Sequence, residues 1–104
     1  MLYHVDFEVQ YAADMTQQEL LSIWSQDAEA LLGAKADGIV VEVWKCVGQR
    51  RVIAILEVDS PAMLDQIVLD LPLMKAIGQH VTMTVTLLRP YGEFAEDIKA
   101  RLKA

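Results

Sequence analysis

The sequence predicts an α+β domain in the order strand, helix, strand, strand, helix, strand, and three observations predict it. Period-two alternation runs through Tyr3, Val5, Phe7 and Val9, and again through Val81, Met83, Val85 and Leu87. Apolar residues at three- and four-residue spacing mark two helices, from Leu20 to Leu32 and from Leu64 to Leu71. Between the helices lie two β-rich runs joined by a glycine turn. This order is the split βαβ, or ferredoxin-like, arrangement: an antiparallel sheet of four strands with two helices on one face.

Each element follows from local chemistry. In the first strand Tyr3, Val5, Phe7 and Val9 alternate with His4, Asp6, Glu8 and Gln10, so the two faces differ. Thr16 with Glu19 three residues later is a capping-box pattern that opens the first helix, and Asp37-Gly38 supplies the turn that closes it. Ile39 to Val47 and Arg51 to Val58 form a hairpin about Gly48-Gln49. Ser60-Pro61 starts the second helix, with Ser as cap and Pro in the first turn, and the helix stops before Pro72. His80 to Leu88 is the fourth strand. Beyond Pro90, Phe94, Ile98 and Leu102 lie four residues apart in a charged segment, a narrow stripe suited to a partner subunit. The expected organisation is one domain over residues 1–104, a core at 1–90 and a C-terminal helical extension at 91–104.

Composition excludes several function classes. A formal charge of −6 and no basic patch oppose binding to nucleic acid or anionic membranes. No apolar run is long enough to span a bilayer, and the alternating N-terminus lacks the basic start and apolar core of a signal peptide. The single cysteine, Cys46, has no partner for an internal disulfide or a metal site, which fits a reducing cytoplasm. The sheet face turned away from the helices mixes polar and apolar groups and is too apolar in sum to be left wet. Pairing of two such sheets between subunits, as in a dimeric α+β barrel, is therefore expected.

One residue breaks the first helix's pattern. Asp27 falls inside the apolar stripe of Leu20, Ile23, Trp24, Ala28, Leu31 and Leu32, whereas Glu29 points to the solvated side. Desolvation disfavours a carboxylate's charged form and raises its pKa, one route to a general acid or base that works near neutral pH. A structural network within the sheet or between subunits would also account for it.

The opening Met1-Leu2-Tyr3-His4-Val5, Asp14-Met15 before the first helix, the acid at Asp27, Gly38, Trp44 and Gly48 in the hairpin region, and Leu71-Pro72-Leu73 together resemble muconolactone isomerases. The similarity runs through roughly the first ninety residues. It implies a ring-shaped homo-oligomer acting in aromatic catabolism through the β-ketoadipate pathway. The implied reaction moves a double bond in muconolactone to give 3-oxoadipate enol-lactone, with no metal and no organic cofactor. This chain has Asp27 where the family typically has Glu, one methylene shorter, and Glu42 and Lys45 flank Trp44 where the family's hairpin differs.

Such an isomerisation needs a base, a stabiliser of the developing enolate and a cation for the substrate's carboxylate. Asp27 is the expected base and His4 the expected donor or proton shuttle. Tyr3 is a candidate substrate contact on the other face of the same strand, so at most one of His4 and Tyr3 shares a pocket with Asp27. Lys45, Arg50, Arg51 and Arg89 are the available cations, of which Lys45 and Arg89 are carried forward as substrate-binding residues; Trp44 is a candidate pocket wall, and His80 is expected at an exposed strand start. A cofactor-free oxygenase, a dehalogenating lactone enzyme and a non-catalytic small-molecule-binding or assembly module remain open on the same scaffold. A closed, partly apolar pocket holding Asp27, a cation and one hydrogen-bond donor would favour an enzyme, and a filled core or a flat solvated surface the module.

Overall fold

The computed structural model describes residues 1–103, and Ala104 of the predicted extension lies outside them. The elements are β1 (Leu2–Val9), α1 (Gln17–Ala36), β2 (Val40–Lys45), β3 (Arg51–Glu57), α2 (Pro61–Asp70), α3 (Pro72–Ile77), a 3₁₀ turn at Gly78–His80, β4 (Val81–Leu88) and α4 (Tyr91–Lys103). The strands pair antiparallel throughout in the order β2-β3-β1-β4, which is the ferredoxin-like sheet the element order predicts.

The predicted caps form. Thr16 Oγ1 accepts from the Glu19 amide at 3.1 Å, and Ser60 Oγ accepts from the Met63 amide at 3.1 Å. Gly38 ends α1 at a φ of +82°, a conformation that suits a residue without a Cβ, and its amide donates to the Lys35 carbonyl. Along β1 the side chains of Tyr3, Val5, Phe7 and Val9 are all buried. They face Val52, Ala54 and Leu56 of β3 and the helices, which seal that side with Leu20, Leu31, Leu64, Leu73 and Ile77.

Four expectations need correcting. Pro72 was expected only to end the preceding helix, but after α2 closes at Asp70 the same proline opens α3, because a missing amide costs nothing in a helix's first turn. The fourth strand starts at Val81, since His80 is held in the 3₁₀ turn, where its carbonyl accepts from the Gln10 amide at 2.7 Å. His80 is half-buried rather than exposed. The first helix buries a narrower face than its apolar stripe suggests: Leu20, Asp27 and Leu31 are buried, whereas Ala28 and Leu32 are exposed.

The helix layer also stops short of the edge strand. On the helix side of β4, Val85 and Leu87 remain 45% and 57% exposed. The helix α4 then leaves the body altogether. The long axis measures 60 Å and the radius of gyration 16.7 Å, against about 13 Å for a compact chain of this length.

Candidate functional site

Asp27 sits on the buried face of α1 and is completely inaccessible, the one buried charged residue among those described. Its Oδ1 accepts a hydrogen bond from the Leu73 amide at 3.2 Å. That amide belongs to the first turn of α3, whose own cap position, Leu71, has no side-chain oxygen to offer. Asp27 thus acts as a cap supplied from another helix. Its Oδ2 meets no donor from the described residues. Burial pushes the Asp27 carboxyl above its ordinary value and the Leu73 amide partly offsets this. An unpaired buried oxygen costs roughly 1–3 kcal/mol.

An apolar groove of about 430 Å³ lies between α1 and β2. Trp24, Ala28 and Leu31 line it from α1, whereas Asp27, turned toward α3 and the Leu73 amide, lines neither this groove nor the other one described below. Val43 and Val52 form the sheet side, and Trp44 and Lys45 edge the mouth. Lys45 is the only cation among the described residues that line it. Its Nζ lies 6.0 Å from the centroid of the Trp24 ring and donates to the Cys46 carbonyl at 3.0 Å, with no carboxylate partner among the described residues.

The other candidate residues are dispersed. Tyr3 faces the helices and lines a second groove, of about 560 Å³, formed with α2 and β4. His4 is half-buried on the opposite, open sheet face, paired with Ile55 and Thr86. Tyr3 therefore shares the helix-facing side of the sheet with Asp27, and His4 does not. Arg51 donates through Nε to both carboxylate oxygens of Asp6, at 2.9 and 3.0 Å, and this holds the Asp6 carboxyl below its usual range. Arg50 donates to the Val9 carbonyl and stacks 5.5 Å from the Tyr11 ring centroid. Arg89 is bound to Asp97 at 2.7 Å, outside both grooves. Of the four cations weighed from the sequence, Lys45 alone lines a groove. No group of three or more His, Cys, Asp or Glu among the described residues is placed to hold a metal ion. No helix among them is long and apolar enough to cross a membrane.

Chemically, the arrangement offers an apolar groove with an ammonium at its mouth and, on the buried face of the same helix, a carboxyl outside the groove. Two parts were not singled out from the sequence. Trp24 was one of several apolar stripe residues, and only the position of Lys45 over its ring sets it apart. The Leu73 amide is a backbone donor, which carries no side-chain signature.

The family model described as muconolactone delta-isomerase matches residues 1–93. Muconolactone Delta-isomerase 2 of Acinetobacter lwoffii is 27% identical over 81 residues, covering 78% of this chain and 84% of that protein. Among solved structures, a muconolactone isomerase superposes with a TM-score of 0.73 at 20% identity, covering 86% of this chain and 90% of the other. A 5-chloro-2-hydroxyhydroquinone dehydrochlorinase from Burkholderia phenoliruptrix superposes with a TM-score of 0.66 at 15% identity, covering 86% and 94%. At these identities the structural likenesses establish the shared fold.

Proposed function

The chain belongs to the muconolactone delta-isomerase family, and on that premise we propose that it is a cofactor-free isomerase of an unsaturated lactone acid, muconolactone being the substrate to test first. The observation that supports this most is the inaccessible Asp27 carboxyl, one oxygen unpaired, on the helix that also walls an apolar groove in which Lys45 is the only cation among the described residues. The lactone ring fills the slot between Trp24, Leu31 and Val43, and its side-chain carboxylate pairs with Lys45 at the mouth. Asp27 removes a proton from a ring carbon, and the electron pair moves into the conjugated system to give a dienolate with its charge on the lactone oxygen. The same carboxyl, now protonated, returns the proton two carbons away, so atoms and charge balance without a co-reactant.

A desolvated carboxylate is a stronger base than a hydrated one, and a dry slot prevents exchange of the proton with water between the two transfers. The proposal requires the α1 wall of the groove to open toward Asp27, which lines neither groove at rest. Lys45 over the Trp24 ring couples this to binding, because a substrate carboxylate competes for the same ammonium. The shorter reach of Asp relative to the family's usual Glu requires the ring to sit correspondingly deeper against α1. His4, on the open sheet face, enters the reaction only through the pairing of sheet faces between subunits of a homo-oligomer. The proposed setting is the cytoplasm, in the catabolism of aromatic compounds.

Incubation of the purified protein with muconolactone, followed by NMR, tests the assignment. Appearance of the enol-lactone is the expected result, and a folded protein that leaves muconolactone unchanged at high enzyme concentration would refute this substrate.

A further inference from the structure

The turn between β2 and β3 concentrates positive charge in an otherwise acidic chain. From Val43 to Leu56 there is no Asp or Glu, and Lys45, Arg50 and Arg51 all fall in that stretch, against a formal charge of −6 for the whole chain. Arg51 is committed to Asp6 on the open sheet face. Lys45 and Arg50 have no carboxylate partner among the described residues.

Register places these two cations side by side. Lys45 pairs with Val52 across the hairpin, and Arg50 lies two residues before Val52, so all three share the helix-facing side of the sheet. The ladder still holds at Arg50, whose carbonyl accepts from the amide of the buried Val9 at 2.8 Å. A diagonal pair such as Lys45 and Arg50 is about 7–8 Å apart, close enough for two long side chains to converge on one ligand. Val52 lines the groove and Lys45 edges its mouth, so Arg50 stands one step farther out on the same side. Its Nε donates to the Val9 carbonyl at 3.1 Å, and the Tyr11 ring backs the guanidinium at 5.5 Å. These contacts orient the guanidinium while leaving its two terminal nitrogens, a fork that fits a carboxylate, without a partner among the described residues.

We propose that the groove's ligand carries two anionic groups, one carboxylate at Lys45 and a second on the Arg50 fork, so that the substrate class is an unsaturated lactone dicarboxylate. This rests on the reading that the groove holds a ring acid, and it narrows that reading by one functional group. A single carboxylate needs one counter-ion, and a second cation beside the first repels it in the empty groove. A dianion removes that repulsion and gains at both positions. The second carboxylate stays at the wet rim, where it loses little hydration, while the ring still enters the apolar floor of Leu31, Val43 and Val52.

Titration of flat ring acids into the purified protein at low ionic strength tests it. The probes are benzoate, with one carboxylate, and phthalate, isophthalate and terephthalate, which place a second carboxylate at each possible spacing; affinities are read by calorimetry and amide shifts in NMR. At least one dicarboxylate is expected to bind about 10-fold or more tightly than benzoate. Arg50→Gln should bring that dicarboxylate to the level of benzoate and leave benzoate itself unchanged, whereas Lys45→Gln should weaken every probe. Arg101→Gln removes an equal charge from the distant α4 and should change none. Dicarboxylates no tighter than benzoate, an advantage that survives Arg50→Gln, or one lost equally in Arg101→Gln would overturn the proposal. No proton is transferred in this measurement, so failure of Asp27 as the base leaves its outcome untouched. Absence of binding by every probe, in a protein whose amide spectrum shows it folded, would overturn both the inference and the assignment of the groove.

Discussion

Two carboxylates, both placed by the same first-layer pattern of strand and helix, have opposite environments. Asp6 lies on the open sheet face under the Arg51 guanidinium, which holds it below its usual range, and Asp27 lies in the helix layer with a single backbone donor and burial that pushes it up. A carboxylate neutralised by arginine stays ionised and immobile. One that is dry and half-satisfied holds its proton more tightly than an exposed carboxyl does. The same contrast holds for the cations: Arg51 and Arg89 are committed to carboxylates, whereas Lys45 faces a groove.

The comparison breaks most sharply by removing charge at each site. Asp27→Asn keeps an oxygen for the Leu73 amide but cannot carry the proton, so turnover should fall by about 10²–10⁴-fold or more, measured as kcat/KM. Asp6→Asn should leave kcat/KM unchanged. Lys45→Ala should raise KM by roughly 10–100-fold with a smaller change in kcat, the size expected for one charge-assisted hydrogen bond. Asp27→Ala, which deletes the cap as well, should lower stability by about 1 kcal/mol relative to Asp27→Asn, read from urea midpoints.

Smallest in size but opposite in sign are the pH effects on stability. The folded state holds the Asp27 proton more tightly than the unfolded chain, whose carboxylate titrates near 3.8. Its burial therefore lowers stability progressively as pH rises from 3.8 to the elevated folded value, and the loss persists above it. Asp6 contributes in the other direction: its stabilisation is complete above 3.8 and disappears as pH falls through its depressed folded value. Denaturation of Asp27→Asn across pH 4–7 should thus show equal or greater stability than the wild type toward neutral pH, while Asp6→Asn should show its deficit there and lose it in acid.

How much of this was legible in the sequence depends on the range of the interaction. Period and caps are local, so the four strands, α1, α2 and α4 could be placed from residues such as Thr16, Ser60 and Gly38. The helix α3 was missed because Pro72 has two meanings, a stop for the helix before it and a start for one after it, and the choice depends on the distant Asp27 as cap. Asp27 itself was visible as a charge in an apolar stripe. Its orphan oxygen was not, since that depends on which donors the fold brings near. Neither groove could be read, because each exists where the helix layer fails to cover the sheet, at Val43 on one edge and Val85 on the other.

The most direct measurement is exchange of ring hydrogen for deuterium in muconolactone dissolved in D2O, followed by NMR with wild type and with Asp27→Asn. The account predicts isomerisation by the wild type with the moved hydrogen largely retained, little deuterium entering at the carbon that receives it. With Asp27→Asn neither exchange nor product should exceed the uncatalysed level, although saturating muconolactone still raises its melting temperature. Product formation by Asp27→Asn at a rate near the wild type's would contradict the assignment of Asp27 as the proton carrier, and full deuterium uptake by the wild type would contradict return of the same proton.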